Sequence, residues 1–519
     1  MKPRIVLVLA VSLLQLGIAA PLFAQQACEK LATTPMRGIT ITSATSVPAG
    51  PFTLPGGGRG GPVQTPAFCR VVATVGKEIN FELWMPARWN NKFLAVGNGG
   101  LAGNISYAPM VKPLAEGYAT SSTDTGHQGG TNDGSWALGH YDRIVNLADR
   151  GVHLMAEADQ VILKAFYGAR PAHSYFNGCS LGGHEALIEA QRYPADFDGI
   201  VAGDPANNWT HLYMGGHLWV ATAMDGDGYI PAEKVHILAD AVNQQCDALD
   251  GVKDGVLNDP RRCHFKPETL LCKGSDTSEC LTGAQVAAVN KIWAGLRLAD
   301  GQQIYPGLMP GGEAGPGGWA NWITGKEPGK GGHANLGLPV FKYMLFENPD
   351  WDFRTFRFEA ADGFDSDVDF MDTKLGGLFN AVNPDLSAFK ARGGKLIQYH
   401  GWSDPDISPL NSINYYESVA KMQGGDTHGL RNTAEFYRLF MVPGMQHCNG
   451  GPGPSSFEML DSLDRWADKG VAPEKVIASH VTGGAVDRTR PLCPYPTEAQ
   501  WKGSGSTDDA ANFVCALPR

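Results

Sequence analysis

The chain has 519 residues, 43% of them hydrophobic and 18% charged, enough to bury a large core with a second domain or a large insertion. Its net charge is −11 and no stretch concentrates lysine or arginine, which argues against a nucleic acid as partner. Sixty-five glycines and 34 prolines predict many turns and long loops, and no repeat period stands out.

Residues 1–24 read as a signal peptide. "MKPR" supplies a positive start, "IVLVLAVSLLQLGIAA" an apolar stretch too short for a span, and "PLFAQQ" a small-residue exit with cleavage after Ala24. No later segment is long and apolar enough to cross a bilayer, so the expectation is a soluble protein, secreted or periplasmic, with no membrane association after cleavage. All ten cysteines lie beyond that point, an even number in an exported chain and none in a CxxC pair, which points to disulfides. Short separations suggest Cys246–Cys263, Cys272–Cys280 and Cys493–Cys515.

The alternating stretches "FCRVVATV", "INFELWMP" and "KFLAVGNGG" predict early strands. "NLADRGVHLMAEADQVILKAFYG" has helical spacing. "AHSYFNGCS" reads as a strand ending in a turn, and "LGGHEALIEAQRYP" as a helix that closes at Pro194. From about Pro205 to Asp385 the strand–helix alternation fades, and four cysteines and loop-like runs such as "MPGGEAGPGGW" appear. Core-like patterns then resume in "GKLIQYHGWSD" and "AEFYRLFMVPGMQHC", so residues 205–385 read as a lid insertion, not an independent domain. The late helix "SSFEMLDSLDRWADKG" places Met459, Leu460, Leu463 and Trp466 on one side. The fold class is α/β, a mostly parallel sheet covered on both faces, with its core divided between residues 25–204 and 386–519.

Gly178-Cys179-Ser180-Leu181-Gly182 fits GxSxG between a strand and a helix. That turn exposes a serine oxygen, and the helix start aims free N–H groups at developing negative charge. A serine hydroxyl needs a base, and the base an orienting acid, which follow the serine in chain order in this fold. Asp404 in "HGWSDPD" and His447 in "GMQHCNGG" lie on loops at strand ends; Asp406 is the rival acid, and His127, His184 and His400 the rival bases. Cys179 precedes the candidate nucleophile and Cys448 follows the candidate base. A bridge between them, which needs Cα atoms within about 7 Å, would staple the two loops together. The oxyanion donors are expected to be the N–H of Leu181 and that of Gly99 or Gly100 in "GNGG".

The Cys-Ser-x-Gly-Gly turn, the His-Cys pair, the "HGWSDP" loop and the aspartate-rich lid loop resemble the tannase and feruloyl esterase family, which includes bacterial hydrolases of mono-hydroxyethyl terephthalate. The similarity runs through nearly the whole mature chain. It implies an α/β-hydrolase fold with a lid, a serine triad, the Cys179–Cys448 bridge and a Cys28–Cys69 bridge. In "CDALDGVKDGVLNDPRRC", Asp247, Asp250 and Asp254 offer hard oxygen ligands within a tight loop, and Val252 and Val256 backbone carbonyls. The spacing is not that of an EF-hand; the resemblance carries a structural calcium onto these five residues, and a serine triad needs no organic cofactor. Trp319, Trp322, Phe341 and Phe346 offer aromatic surface for an acyl group, and Lys342, four residues before Phe346, a cation for a carboxylate or phenol. Terephthalate hydrolases of the family can carry an acidic residue just after the nucleophile, where this chain has Leu181. The expected partner is therefore a small aromatic ester such as a feruloyl or galloyl ester, free or linked to plant polysaccharide or tannin. A terephthalate monoester, a peptide bond, and a catalytically inactive exported binding protein are the alternatives.

Overall fold

The computed structural model describes residues 26–56, 61–361 and 365–518. The signal-peptide reading, residues 1–24, falls outside them. Among the described residues nine strands form one mixed sheet: β1 (Ile39–Val47), β2 (Phe68–Val75), β3 (Ile79–Pro86), β4 (Lys92–Val96), β5 (Ala119–Thr123), β6 (His173–Cys179), β7 (Gly199–Gly203), β8 (Lys395–Gly401) and β9 (Tyr437–Val442). Their spatial order is β1-β2-β3-β5-β4-β6-β7-β8-β9. β1, β2 and β3 pair antiparallel with their neighbours, and from β5 through β9 every pairing is parallel.

Side chains of the parallel strands are buried on both faces, so their sequences are almost continuously apolar. Consecutive residues nevertheless enter different cores, as the two-residue period of a strand requires. Phe93, Phe176, Ile200 and Leu396 join one cluster with Met155, Leu163 and Phe166 of α1 (Gly151–Tyr167), Leu187 of α2 (Leu181–Arg192) and Tyr416 of α3 (Pro409–Thr433). Their successors Leu94, Val201 and Ile397 join a second cluster with Leu463 and Trp466 of α4 (Met459–Lys469), as does Tyr175, which precedes Phe176. The helix before the nucleophile turn, α1, stops at Gly168, whose φ of 75° lets its N–H cap the carbonyl of Lys164. β1 is half exposed at the sheet edge, and the Cys28–Cys69 bridge ties the preceding turn to β2.

Between β7 and β8 the chain leaves the sheet for residues 204–394, close to the expected insertion. Part of this segment builds its own apolar cluster, with Val235, Leu238, Val242, Val286, Val289 and Ile292. Cys246–Cys263 and Cys272–Cys280 cross-link it. The rest shares a core with the sheet domain: Trp209, Met214, Val340, Phe341 and Phe379 pack with Leu101, Trp136 and Leu181. The insertion is thus seated over the turn that carries Ser180. Beyond α4 the chain adds two hairpins, Val476–Thr482 with Ala485–Leu492 and Glu498–Trp501 with Phe513–Ala516, the second tied by Cys493–Cys515. Among the described residues no helix is long and apolar enough to cross a membrane.

Candidate active site

Ser180 stands between β6 and α2 with φ 65° and ψ −119°, a strained conformation for a residue with a side chain. Close packing holds it there. A Cβ on Gly178 would lie 2.5 Å from the carbonyl oxygen of Gly182, and one on Gly97 would lie 2.6 Å from the Cα of Gly182. Only glycine lets β4, β6 and the start of α2 approach this closely. The loop after β4 is tied to the same helix: Gly182 N–H donates to Asn98 O (2.9 Å), and Asn98 N–H donates to Glu185 Oε2 (2.9 Å). The N–H groups of Gly99, Gly100 and Leu181 donate to no acceptor among the described residues. Gly99 borders open space, whereas Gly100 is pressed against the carbonyl of Thr131.

His447 and Asp404 meet as expected. His447 Nδ1 lies 2.8 Å from Asp404 Oδ2, and Asp404 Oδ1 accepts the N–H groups of Asp406 (2.8 Å) and Ile407 (3.0 Å). The sulfurs of Cys179 and Cys448 are bonded, with Cα atoms 6.0 Å apart across a separation of 269 residues, so the serine turn and the histidine loop are joined covalently. The other four bridges form as expected too. Two rivals have other partners: His127 stacks on Trp136, and His184 hydrogen-bonds the carbonyl of Phe379. His400 is held by Ser412 and the carbonyl of Ile407, and its Nε2 also lies 3.3 Å from Asp404 Oδ2. Asp406 pairs with His217 (3.0 Å), although its second oxygen is 3.6 Å from His447 Nε2.

The sequence reading missed Asp204, which is fully buried at the end of β7. Its carboxylate accepts the N–H of Gly401 at 2.8 Å and that of Cys448 at 2.6 Å, and so fastens the ends of β7 and β8 to the histidine loop. It also missed His217 and His333, buried in the insertion around Asp406. The one available signal for Asp204 was an acid directly after the apolar strand "GIVAG". These groups shape the local electrostatics. Burial pushes the His447 imidazole down, but the charges of Asp404, Asp406 and Asp204 outweigh it and hold it well above the ordinary histidine value. Burial raises the Asp204 carboxyl to about 6.

Of the aromatic residues expected to line a pocket, Trp322 reaches the site, its ring 5.3 Å from His447 and nearly perpendicular to it. Trp319 is buried in the core of the insertion beside Trp293, and Phe341 and Phe346 both stack on Trp351, so these three are packing residues. Lys342 makes no ion pair or side-chain hydrogen bond with Ser180, Asp404 or His447 among the described residues. The reason is tertiary: apolar rings find the interior whenever the insertion offers one.

In the acidic loop, Asp247 Oδ1 accepts the N–H groups of Asp254 and Gly255, Asp250 Oδ1 that of Val252, and Asp254 Oδ1 that of Val256. Asp254 Oδ2 is taken by Arg490 at 2.6 Å. The second oxygens of Asp247 and Asp250 have no hydrogen bond among the described residues. Burial raises the Asp250 carboxyl to about 6, and the nearby carboxylates add to it. The free oxygens of Asp247 and Asp250 are hard donors of the kind a calcium-class cation takes, while Arg490 and Arg488 already offset the charge of Asp254.

The strand order, with a strained serine at the turn after β6 and acid and base on the loops after β8 and β9, is that of an α/β-hydrolase. Residues 64–516 match the family described as tannase and feruloyl esterase, and the chain belongs to that family of carboxylic ester hydrolases. It is 40% identical to an uncharacterized esterase of Xanthomonas campestris pv. campestris, over 95% of this chain and 91% of that one. It is 33% identical to the mono(2-hydroxyethyl) terephthalate hydrolase of Piscinibacter sakaiensis, over 87% and 85% of the two chains. The crystal structure of feruloyl esterase B from Aspergillus oryzae superimposes with a TM-score of 0.84 at 30% identity, covering 94% of this chain and 99% of that one.

Proposed function

We propose that the chain is an exported serine esterase that hydrolyses phenolic aromatic esters, such as feruloyl or galloyl esters, through an acyl-enzyme. The observation that carries this reading is the covalent joining of the Ser180 turn to the loop on which His447 meets Asp404. His447 takes the Ser180 proton as the hydroxyl oxygen attacks the ester carbonyl, and Asp404 holds the imidazole and stabilises its cation. The N–H groups of Leu181 and Gly99 receive the oxyanion. His447 then protonates the departing alcohol and activates the water that releases the acid. Trp322 supplies an aromatic wall beside the reacting carbonyl. The terephthalate relative motivates a second reading, hydrolysis of terephthalate monoesters. Kinetics on methyl ferulate, methyl gallate and mono(2-hydroxyethyl) terephthalate separate the two. The apolar Leu181 after the nucleophile favours the phenolic esters by about 10-fold or more in kcat/KM; the reverse ranking assigns the terephthalate monoester, and cleavage of peptides alone rejects both.

The carboxylates around His447 fix the sign of the pH dependence. The imidazole must be neutral to act as base, so kcat/KM rises with pH through its raised pKa, and the acid limb lies above the ordinary value of about 6.5. Stability runs the other way: the contribution of this raised group is full below the ordinary histidine value and is lost as pH rises through the raised one. Asp406→Asn removes one raising charge and shifts the acid limb to lower pH. A limb at or below about 6.5 in the unmodified chain contradicts this electrostatic account.

We also propose that Asp247, Asp250 and Asp254, with the carbonyls of Val252 and Val256, hold a structural calcium ion, and that export follows cleavage after Ala24. When bound, the ion neutralises the acidic loop and takes no part in the ester chemistry. Chelation is expected to lower Tm by about 3 °C or more, with calcium restoring it. An unchanged melt, with no calcium found by elemental analysis, removes the site.

A further inference from the structure

A second cluster of ligating groups lies on the α1–α2 face of the sheet, away from the reaction. His153 near the start of α1, Glu189 near the end of α2 and Asp196 in the following turn each offer one ligand atom, all within 4.8 Å of one another. Glu189 lies eight residues beyond the first residue of α2, about 12 Å along the axis, so the cluster is remote from Ser180. We propose that these three residues bind a divalent transition-metal cation of the zinc class, clamping α1 to the end of α2.

Glu189 carries the inference. Its side chain is 1% exposed, and neither carboxylate oxygen has a hydrogen-bond partner. A buried carboxylate without partners is costly unless something neutralises it. The acids Asp196, Glu185 and Asp149 add negative charge around it, and Asp196 can bond it only through a shared proton. His153 is already aimed: its Nδ1 lies 2.6 Å from Asp196 Oδ2, and its ring stacks on Tyr193 at 3.8 Å. The Tyr193 hydroxyl is in turn held by Asp149 at 2.7 Å, an outer contact that fixes the ring. One imidazole and two carboxylates form an N,O donor set suited to zinc. Metal–ligand distances of about 2.0–2.2 Å fit donor atoms this close together. Asp196 also borders an open groove of about 820 Å³ with Leu154 and Glu157, so one of the three ligands faces solvent. On binding, the proton leaves His153 Nδ1, any proton on Glu189 is released, and the nitrogen and both carboxylates face the same ion.

The test uses the untagged full chain, stripped with a chelator, dialysed, and kept in excess calcium so that the acidic loop is not the site being read. Calorimetric titration with zinc sulfate is expected to show about one ion per chain with micromolar or tighter affinity. Glu189→Gln and His153→Gln should each weaken it by about 10-fold or more while methyl ferulate turnover stays within about twofold. Cobalt(II) bound in place of zinc should give visible absorption bands that both variants lose. Absence of saturable zinc binding overturns the proposal, as does binding that neither variant disturbs. A Glu189→Gln chain that melts no lower than the unmodified one, where the unmodified chain takes up no zinc, shows that Glu189 and Asp196 share a proton and nothing more.

Discussion

Ser180→Ala is expected to cut kcat on methyl ferulate by about 10⁴-fold or more while leaving Tm nearly unchanged. A loss of that size corresponds to about 5.5 kcal/mol of transition-state stabilisation, the scale reached when the nucleophile of a serine hydrolase is removed. Alanine occupies the same space, and the backbone at φ 65° is held by its surroundings: Ser180 N–H donates to Gly203 O, and Ser180 O accepts from His184 and Ala206. The fold therefore has no reason to change, and KM should move little because the hydroxyl is not a binding group. What survives comes from the free N–H groups of Leu181 and Gly99, which still stabilise charge on a carbonyl attacked by water. Two measurements check the point. An aryl phosphonate should attach to Ser180 in the unmodified chain and to nothing in the variant. More than about 1% residual kcat, or a phosphonate adduct elsewhere, means that another residue attacks the ester.

Much of this site is legible before any coordinates because its parts sit at places a sequence marks well. Ser180 comes directly after an apolar strand, Asp404 and His447 lie within five residues of the ends of two others, and loops at the carboxyl ends of parallel strands are where such sheets place chemistry. The same apolar runs disclose the sheet, since Phe93-Leu94 and Phe176 fill cores on both of its faces. The insertion is harder to read. Trp319 and Trp322 lie three residues apart in a glycine-rich stretch without periodicity, yet one is sealed in a core and the other stands over His447. Nothing local distinguishes them; the difference arises when the insertion folds back onto the sheet. The same holds for His217 and His333, single polar residues whose meaning depends on Asp406 arriving from a distant loop. The paired terminal hairpins escaped notice because strand stretches such as "AVDRTRPL" are half exposed and charged. Their anchoring is remote as well: Arg488 and Arg490 reach back to Asp254.

Replacing both Cys179 and Cys448 by serine should be the most damaging change outside the triad. The bridge closes a loop of 269 residues, and loop-closure entropy grows with the logarithm of that length. In the chain-entropy model the contribution is about 5.6 kcal/mol, an upper figure because unfolded chains keep some structure. The catalytic consequence is separate from the thermodynamic one. Without the bridge, the His447 loop is held by the Asp404 hydrogen bond and by the Cys448 N–H on Asp204, neither of which reaches the Ser180 turn through covalent bonds. Small misplacements of base and nucleophile are expensive, so kcat should fall by about 10²-fold while KM changes less. The control is the Cys272→Ser, Cys280→Ser pair, whose bridge spans a separation of 8 residues in the insertion. That pair should cost about 2–3 kcal/mol at most and leave kcat intact at a temperature where the chain is folded. Equal loss of kcat in both double variants would trace the effect to general loosening of the molecule. Full kcat in the Cys179→Ser, Cys448→Ser chain would mean that hydrogen bonds and packing alone bring imidazole and hydroxyl together.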